Sequence, residues 1–154
     1  RGELRVRTLT AAKMAGIRAI IQADQIKEVE KVNTEKLYFI DAVPYSYIFP
    51  YVRGVVHHGG CTTNGLSLLY GCPTLVIPLA LDQYFYGRMD NRLGAGPEPL
   101  YIRKKLCTTE QIESALLDLV SGQYDEAARE ISAKMQRENG VACAADAIEE
   151  YVRR

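Results

Sequence analysis

One stretch of this sequence, VVHHGGCTTNGLSLLYGCPT at residues 55–74, places two histidines between an apolar run and two glycines. The order of residues is typical of a strand that passes through a tight turn into a helix. A helix N-terminus carries unpaired backbone N–H groups and the positive end of the helix dipole, so it attracts anions. Glycines let an anion approach the backbone closely. The stretch therefore predicts a phosphate-binding turn.

Side chains in the same stretch extend this prediction. His57 and His58 point to opposite faces if both lie in strand geometry, so one can face a ligand while the other packs or orients it. His58 adjoins the glycines and can donate to a diphosphate oxygen. Gly60, Thr62, Thr63 and Asn64 complete the predicted turn and its side-chain donors. On spacing alone, both histidines could equally be ordinary polar residues at a strand end.

A second polar group, Asp82 and Gln83, follows the next apolar run, TLVIP at residues 74–78. The carboxyl ends of parallel strands meet at one edge of a sheet, where ligands bind in such folds. A carboxylate beside an amide offers the acceptors and donors that sugar hydroxyls need. Asp82 could instead be the N-cap of the following helix, and both roles can hold together.

The elements that must position these residues alternate between strand-like and helix-like patterns. This alternation predicts an α/β fold, a Rossmann-like parallel sheet with flanking helices in a single domain spanning residues 1–154. Strands are expected at residues 17–22, 37–42, 54–57 and 74–78, and helical segments in TLTAAKMA, SYIFPYV, TTNGLSLLYG and DQYFYGRMDNRLG. Residues 24–36 read as a surface connection and PEPLYIR as extended. Three helices are expected after residue 107, the first capped by Thr108 or Thr109 and ended by Gly122.

Composition narrows the function classes. The 154 residues contain 19 Lys and Arg against 19 Asp and Glu, so no net charge favours nucleic acid as a partner. The four cysteines form no C-x-x-C pair and the two histidines are adjacent, so no zinc site is predicted. No apolar run reaches the length of a membrane span, and no signal peptide is recognisable, which predicts a cytoplasmic protein. The first residue is Arg1, from which we expect a fragment.

The stretch from residue 55 to residue 97, VVHHGGCTTNGLSLLYGCPTLVIPLALDQYFYGRMDNRLGAGP, resembles the nucleotide-sugar signature of the UDP-glycosyltransferases. It is most similar to the branch of sterol 3-beta-glucosyltransferases and bacterial macrolide glycosyltransferases. The resemblance extends from LYFIDAVPYSYIF to the final helices. It implies the GT-B fold, in which two Rossmann-like domains face one cleft. This chain would be the C-terminal, donor-binding domain, without the N-terminal acceptor domain.

The resemblance also implies roles for individual residues. His58 corresponds to the histidine that contacts the donor diphosphate, and Asp82 with Gln83 to the pair that binds the sugar hydroxyls. Val43 and Pro44 correspond to the segment beside the uracil, with Tyr45 or Tyr47 as a candidate aromatic contact. The phosphate-binding turn corresponds to Gly60, Thr62, Thr63 and Asn64.

Three departures from the family pattern stand out. Thr62 occupies a position that is usually glycine, and Leu66 occupies the position of a glutamate that binds ribose in plant relatives. The family's first strand of this domain, which is central in the sheet, has no clear match in RGELRVRTLTAAKMAG. The site is therefore expected to be altered, and the first strand to be absent.

The function that the resemblance implies is transfer of a hexose, most often glucose, from a UDP-sugar to an acceptor hydroxyl with inversion. No cofactor or metal is expected. The acceptor would be sterol-like or otherwise lipophilic and bound mainly by the N-terminal domain, which would also supply the catalytic base; the full-length enzyme could then associate peripherally with membranes. The chain alone should bind donor without turning it over. The alternatives are another nucleotide-sugar reaction and a non-catalytic interaction module.

Overall fold

Helices alternate with four short strands along the part of the chain that the computed structural model describes, residues 2–23, 33–102 and 107–153. The strands are β1 (Ala19–Gln22), β2 (Leu37–Ile40), β3 (Val55–His57) and β4 (Thr74–Val76). The helices are α1 (Gly2–Met14), α2 (Cys61–Leu69), α3 (Gln83–Arg92), α4 (Thr109–Leu119), α5 (Asp125–Met135) and α6 (Gly140–Val152). The predicted α/β class with parallel strands and flanking helices is confirmed.

The strands form two parallel pairs. In the first pair, β1 runs beside β2 with Ala19 opposite Leu37. In the second, β3 runs beside β4 with Val55 opposite Thr74 and His57 opposite Val76. Within the described residues the two pairs are not hydrogen-bonded to each other. Each of the four strands, β1 and β3 among them, therefore has one edge without a partner strand in this part of the chain.

A layer of two helices, α1 and α4, covers a core shared by both strand pairs. Ala11 and Ala12 on α1 and Leu116 on α4 are buried together with Leu37 of β2 and Leu75 of β4. Because side chains from both pairs meet in one apolar cluster, the core is continuous although the hydrogen-bonded sheet is not. Burial of this cluster is the main favourable contribution to the free energy that holds the two strand pairs together.

The N-terminal residues form a helix, longer than the predicted segment TLTAAKMA. The segment ELRVR lies inside α1, where the Thr8 hydroxyl donates to the Leu4 carbonyl at 2.9 Å. Ala11 and Ala12 have high helix propensity and are small enough for close packing on the core. ELRVR therefore does not replace the missing strand, in agreement with the poor match in the sequence.

The four predicted strands are confirmed, each shorter than its apolar run. The helical segment expected in SYIFPYV consists of two 3₁₀ turns, Tyr45–Tyr47 and Phe49–Tyr51, and not of an α-helix. Pro50 lacks the N–H that a continuous α-helix would need there. Of the predicted surface connection, residues 24–32 lie outside the described residues.

The residues predicted to begin and end α3 and α4 agree with the structure. Thr108 caps α4 in a capping box with Gln111, and Gly94 follows α3 with a φ of 70°. Gly122 lies just beyond α4 with a φ of 100°. In the extended segment PEPLYIR, the Leu100 N–H donates to the Val76 carbonyl at 3.1 Å, while residues 103–106 lie outside the described residues.

None of the helices that the structure describes has both the length and the apolar character required to cross a bilayer.

Candidate functional site

The turn between β3 and α2 has a backbone that only glycine can adopt at one position. Gly59 has a φ of 89°, and a Cβ there would lie 2.7 Å from Val76 Cγ1. Gly60 follows in extended geometry as the N-cap of α2. Both the positive φ and the contact with β4 exclude larger residues at Gly59.

The N-terminus of α2 is open to a ligand. The N-cap residue, Gly60, has no side chain that could cap the helix, and the first turn contains no acidic residue. The first intrahelical bond runs from the Asn64 N–H to the Gly60 carbonyl at 2.9 Å. The N–H groups of Cys61, Thr62 and Thr63 therefore have no carbonyl partner within the helix. This arrangement suits an anion that approaches the turn.

The two histidines have different environments; His57 ends β3, and His58 follows the strand. His58 is exposed, and its Nε2 lies 2.8 Å from the position of a Cβ on Gly60. Its imidazole therefore lies beside the turn, next to the open end of α2. His58 is well placed to donate to an anion bound there.

His57 is oriented towards the turn from inside the fold. Its Nδ1 accepts the Gly59 N–H at 2.8 Å, while its Nε2 is buried without a hydrogen-bond partner. Burial, with a smaller effect from His58, lowers the pKa of His57 to about 4. His57 is therefore neutral at physiological pH and fixes the conformation of Gly59.

The second polar group lies on the turn that connects β4 to α3. The Gln83 Oε1 accepts the N–H groups of Leu79 and Ala80 at 2.8 and 3.0 Å, which closes this turn. Leu81 occupies the left-handed region with a φ of 53°. Asp82 is exposed at the N-cap position of α3, but its side chain makes no capping bond. Its carboxylate thus faces solvent rather than the helix.

The two groups adjoin each other. A Cβ on Gly59 would lie 3.0 Å from the Gln83 carbonyl oxygen and 3.3 Å from the Gln83 Cα. His57 and Val76 are opposite each other at the ends of β3 and β4, so both turns leave the same edge of this strand pair. The structure therefore brings the phosphate-type turn and the Asp82-Gln83 pair together, as the sequence predicted from the two strands.

Asn64 differs from the other residues predicted for the turn. Its side chain points into the interior, where Nδ2 donates to Asp90 Oδ1 at 3.1 Å and Oδ1 has no partner. Asp90 also accepts from the Thr74 hydroxyl at 3.0 Å. Burial raises the pKa of Asp90 to about 6, and the bonds from Asn64 and Thr74 oppose this shift. No local sequence pattern pairs these residues, because Asn64 and Asp90 are 26 positions apart.

The segment predicted to lie beside a base borders an apolar groove of about 500 Å³. Val43 and Pro44 are exposed at its rim. The ring of Tyr45 is stacked on Phe49, with ring centroids 4.7 Å apart, whereas Tyr47 is 72% exposed and lines the groove. The rest of the lining consists of Ile20, Tyr38, Ile40 and Ile48.

Leu66, the residue at the family's ribose-binding position, packs against a cluster formed by Phe49, Val55 and Cys72. It therefore has a packing contact in place of a polar one. Among residues 2–23, 33–102 and 107–153, no three His, Cys, Asp or Glu side chains are grouped so that they could hold a metal ion.

Sequence comparison places the chain among glycosyltransferases. Residues 7–150 match the family described as erythromycin biosynthesis protein CIII-like, C-terminal domain. A terpene cyclase-glycosyl transferase fusion protein of Humicola fuscoatra is 38% identical over 122 residues, which are 73% of this chain and 9% of that protein. A sterol 3-beta-glucosyltransferase of Arabidopsis thaliana is 30% identical over 118 residues, 77% of this chain and 19% of that protein. This chain thus spans less than a fifth of either relative.

Solved structures show the same fold. The spinosyn rhamnosyltransferase superposes with a TM-score of 0.81 at 20% identity, over 95% of this chain and 40% of that one, including in its complex with thymidine diphosphate. The Phytolacca americana protein UGT2, complexed with UDP-2fluoro-glucose and pterostilbene, superposes with a TM-score of 0.80 at 16% identity, over 98% of this chain and 39% of that one. The chain therefore belongs to the erythromycin biosynthesis protein CIII-like family and is a C-terminal glycosyltransferase domain of the GT-B fold.

Proposed function

We propose that this chain binds the UDP-sugar donor of a glycosyltransferase, and that the whole protein transfers a hexose, most simply glucose, to a lipophilic acceptor hydroxyl with inversion. The main observation behind this proposal is that Gly59 lies against the backbone of Gln83. The proposed anion-binding turn is therefore adjacent to Asp82 and Gln83, the two residues proposed to bind sugar hydroxyls. A sugar nucleotide needs these two functions side by side.

In this proposal the diphosphate lies at the N-terminus of α2. It accepts hydrogen bonds from the N–H groups of Cys61, Thr62 and Thr63, from the two threonine hydroxyls and from His58. These donors stabilise the charge that develops on the departing diphosphate, so the proposed chemistry uses no metal. Thr62 contributes a hydroxyl where glycine is usual, and its exposed side chain leaves the backbone accessible.

The sugar lies against Asp82 and Gln83. The exposed Asp82 carboxylate accepts from two neighbouring hydroxyls, and the Gln83 Nε2 donates to a sugar oxygen while its Oε1 holds the turn. The base contacts Val43 and Pro44, two exposed residues that line the groove. In this proposal Val43 and Pro44 contact the base, the N-terminus of α2 the diphosphate, and Asp82 with Gln83 the sugar.

Catalysis requires a second domain. We propose that the acceptor and the base that deprotonates it are held by a further domain of the whole protein, in keeping with the small share of its relatives that this chain spans. A sterol-like acceptor is proposed because sterol 3-beta-glucosyltransferases are among those relatives. With such a lipophilic acceptor we further propose that the whole enzyme associates peripherally with membranes. The chain alone should bind donor without transferring the sugar.

Calorimetric titration of the chain with UDP and UDP-glucose tests this proposal. His58→Ala should weaken binding of both ligands by at least tenfold, because it removes a hydrogen bond to a charged group. Asp82→Ala should weaken binding of UDP-glucose and leave that of UDP unchanged, whereas Asp146→Ala on the exposed helix α6 should alter neither. If neither ligand binds a folded chain, donor binding is ruled out, and the open edges of β1 and β3 would favour an interaction module.

A further inference from the structure

A buried polar cluster connects α2, β4 and α3, the elements that flank the two turns of the candidate site. Asp90 lies on α3, the helix that begins at Gln83, and Asn64 lies in the first turn of α2. Thr74 begins β4, the strand that leads into the second of the two turns. All three side chains are only 1% exposed. The carboxylate accepts from Asn64 with one oxygen and from Thr74 with the other, at 3.1 and 3.0 Å.

The anionic form of Asp90 is the one that accepts both hydrogen bonds. Protonation turns one carboxyl oxygen into a donor and a poorer acceptor, so one of the two hydrogen bonds must weaken or reverse its direction. The groups that face Asp90 from α2 and β4 are an uncharged amide and an uncharged hydroxyl. Without a cation beside it, burial of the carboxylate dominates and the pKa of Asp90 rises to about 6.

The other titratable groups named here either keep their charge state in this pH range or are exposed to solvent. His57 on β3 has a pKa lowered to about 4, so it remains neutral above pH 5. Neither α2 nor β4 contains a charged residue. On α3 itself Arg88 and Arg92 are exposed, and α5, which packs on α2, keeps Arg129, Glu130 and Lys134 exposed.

We propose that Asp90 is a positioning residue that holds α2 and α3 at the spacing in which the diphosphate turn and the Asp82-Gln83 pair bind one donor together. This inference rests on the proposed donor-binding function. The anionic carboxylate accepts hydrogen bonds from Asn64 and Thr74 and so holds both to α3, and its protonation weakens or reverses one of these two bonds. Donor affinity is therefore highest when Asp90 is ionised and falls when it is protonated.

Stability should change with pH in the opposite direction. The folded-state pKa of about 6 lies above the ordinary value of 3.8, so between these two values the folded chain binds more protons than the unfolded chain. The contribution of Asp90 to the free energy of unfolding therefore decreases as the pH rises from about 4 to about 6. A purely structural role would make binding and stability change together, whereas the positioning role separates them.

The experiment measures UDP-glucose affinity and thermal stability of the chain between pH 5 and pH 7.5, for the native sequence and for Asp90→Asn. The amide resembles the protonated carboxyl in size and charge. At pH 7.5 Asp90→Asn should bind about fivefold more weakly, the equivalent of one hydrogen bond, while its melting temperature stays equal or rises. At pH 5 the two affinities should converge. Asp146→Asn, the same change on exposed α6, should follow the native profile throughout.

A second variant tests the same cluster from β4. Thr74→Val removes one donor to the carboxylate with little change of shape, so the midpoint of the affinity profile should move to higher pH. The ratio of native to variant affinity at each pH cancels every pH effect that the two chains share, including the titration of the ligand phosphates. Equal ratios for Asp90→Asn at pH 5 and pH 7.5 would overturn the inference while donor binding itself stands. Absence of UDP-glucose binding to the native chain at every pH would overturn both.

Discussion

Two tyrosines near the groove illustrate how strongly a residue's role depends on its surroundings. Tyr45 and Tyr47 are two positions apart in one sequence segment, and either could supply an aromatic contact to a base. The ring of Tyr45 lies nearly parallel to that of Phe49, with an angle of 5° between the planes, and Phe49 is buried in the core. Tyr47 has no such contact among the aromatic pairs that the structure describes. Tyr47 is thus the tyrosine with a free face.

We predict that Tyr47→Ala weakens UDP binding about fivefold or more without loss of stability, since stacking of a base on an aromatic ring contributes about 1–3 kcal/mol. Tyr45→Ala should instead lower the melting temperature, because it removes a ring packed on the core. The sequence contains no Trp, so Tyr47→Trp provides a unique fluorescent reporter that UDP should quench.

Tyr51→Trp is the matched control, because Tyr51 is 85% exposed and does not line the groove. Its fluorescence should not respond to UDP. Tyr47 would be excluded as the base contact if calorimetry showed that UDP binds, while the fluorescence of the Tyr47→Trp variant and the affinity of Tyr47→Ala both stayed unchanged.

At the scale of single residues, sequence reasoning identified what depends on local chemistry. Gly59 had to be glycine for a turn, and the structure adds the contact with Val76 that fixes it. The residue type and position of Asn64 suit a phosphate turn and predict a contact with the ligand. Its actual partner, Asp90, belongs to another helix, and only tertiary packing could show that the amide turns inward.

At the scale of elements, patterns identified which elements exist better than where they end. The apolar run at residues 74–78 predicted β4, which spans only Thr74–Val76; the Ile77 N–H still donates to the His57 carbonyl at 2.9 Å, and Pro78, which has no N–H, follows. The cap at Thr108 was predictable because a capping box is local in sequence. Whether ELRVR forms strand or helix was not predictable from pattern, since its neighbours in space decide the outcome.

Helix α6 is amphipathic but has no buried residue. Val141, Ile148 and Tyr151 are 86%, 65% and 81% exposed. A helix that buries nothing contributes little to the stability of the fold, whatever its intrinsic propensity. Its apolar side chains suit the proposed further domain of the whole protein.

We predict that removing residues 140–154 leaves the melting temperature of this chain within about 2 °C, because no buried apolar contact is lost. UDP affinity should not change either. As a control, Ala128→Glu places a charge at a fully buried position of α5 and should lower the melting temperature by several degrees. A comparable loss on truncation would mean that α6 packs on the domain in solution.

At the scale of the whole molecule, the two strand pairs are joined by the helices packed on them and not by hydrogen bonds between strands. The N–H of Ala23 donates to the Ile40 carbonyl and that of Val55 to the Pro73 carbonyl, both at 2.9 Å. Successive residues of a parallel strand alternate in the direction of their N–H groups. The N–H groups of Ile20 and Val56 therefore point towards the open edges of β1 and β3.

Amide hydrogen exchange reports directly on these edges. We predict that the amides of Ala23 and Val55 are protected, whereas those of Ile20 and Val56 exchange much faster although they lie in the same strands. An exposed strand edge is a template for another strand, so the protection of Ile20 and Val56 should be measured at two protein concentrations. Protection that rises with concentration would show that a second copy pairs with these edges. Protection equal to that of Ala23 and Val55 at every concentration would contradict the open edges.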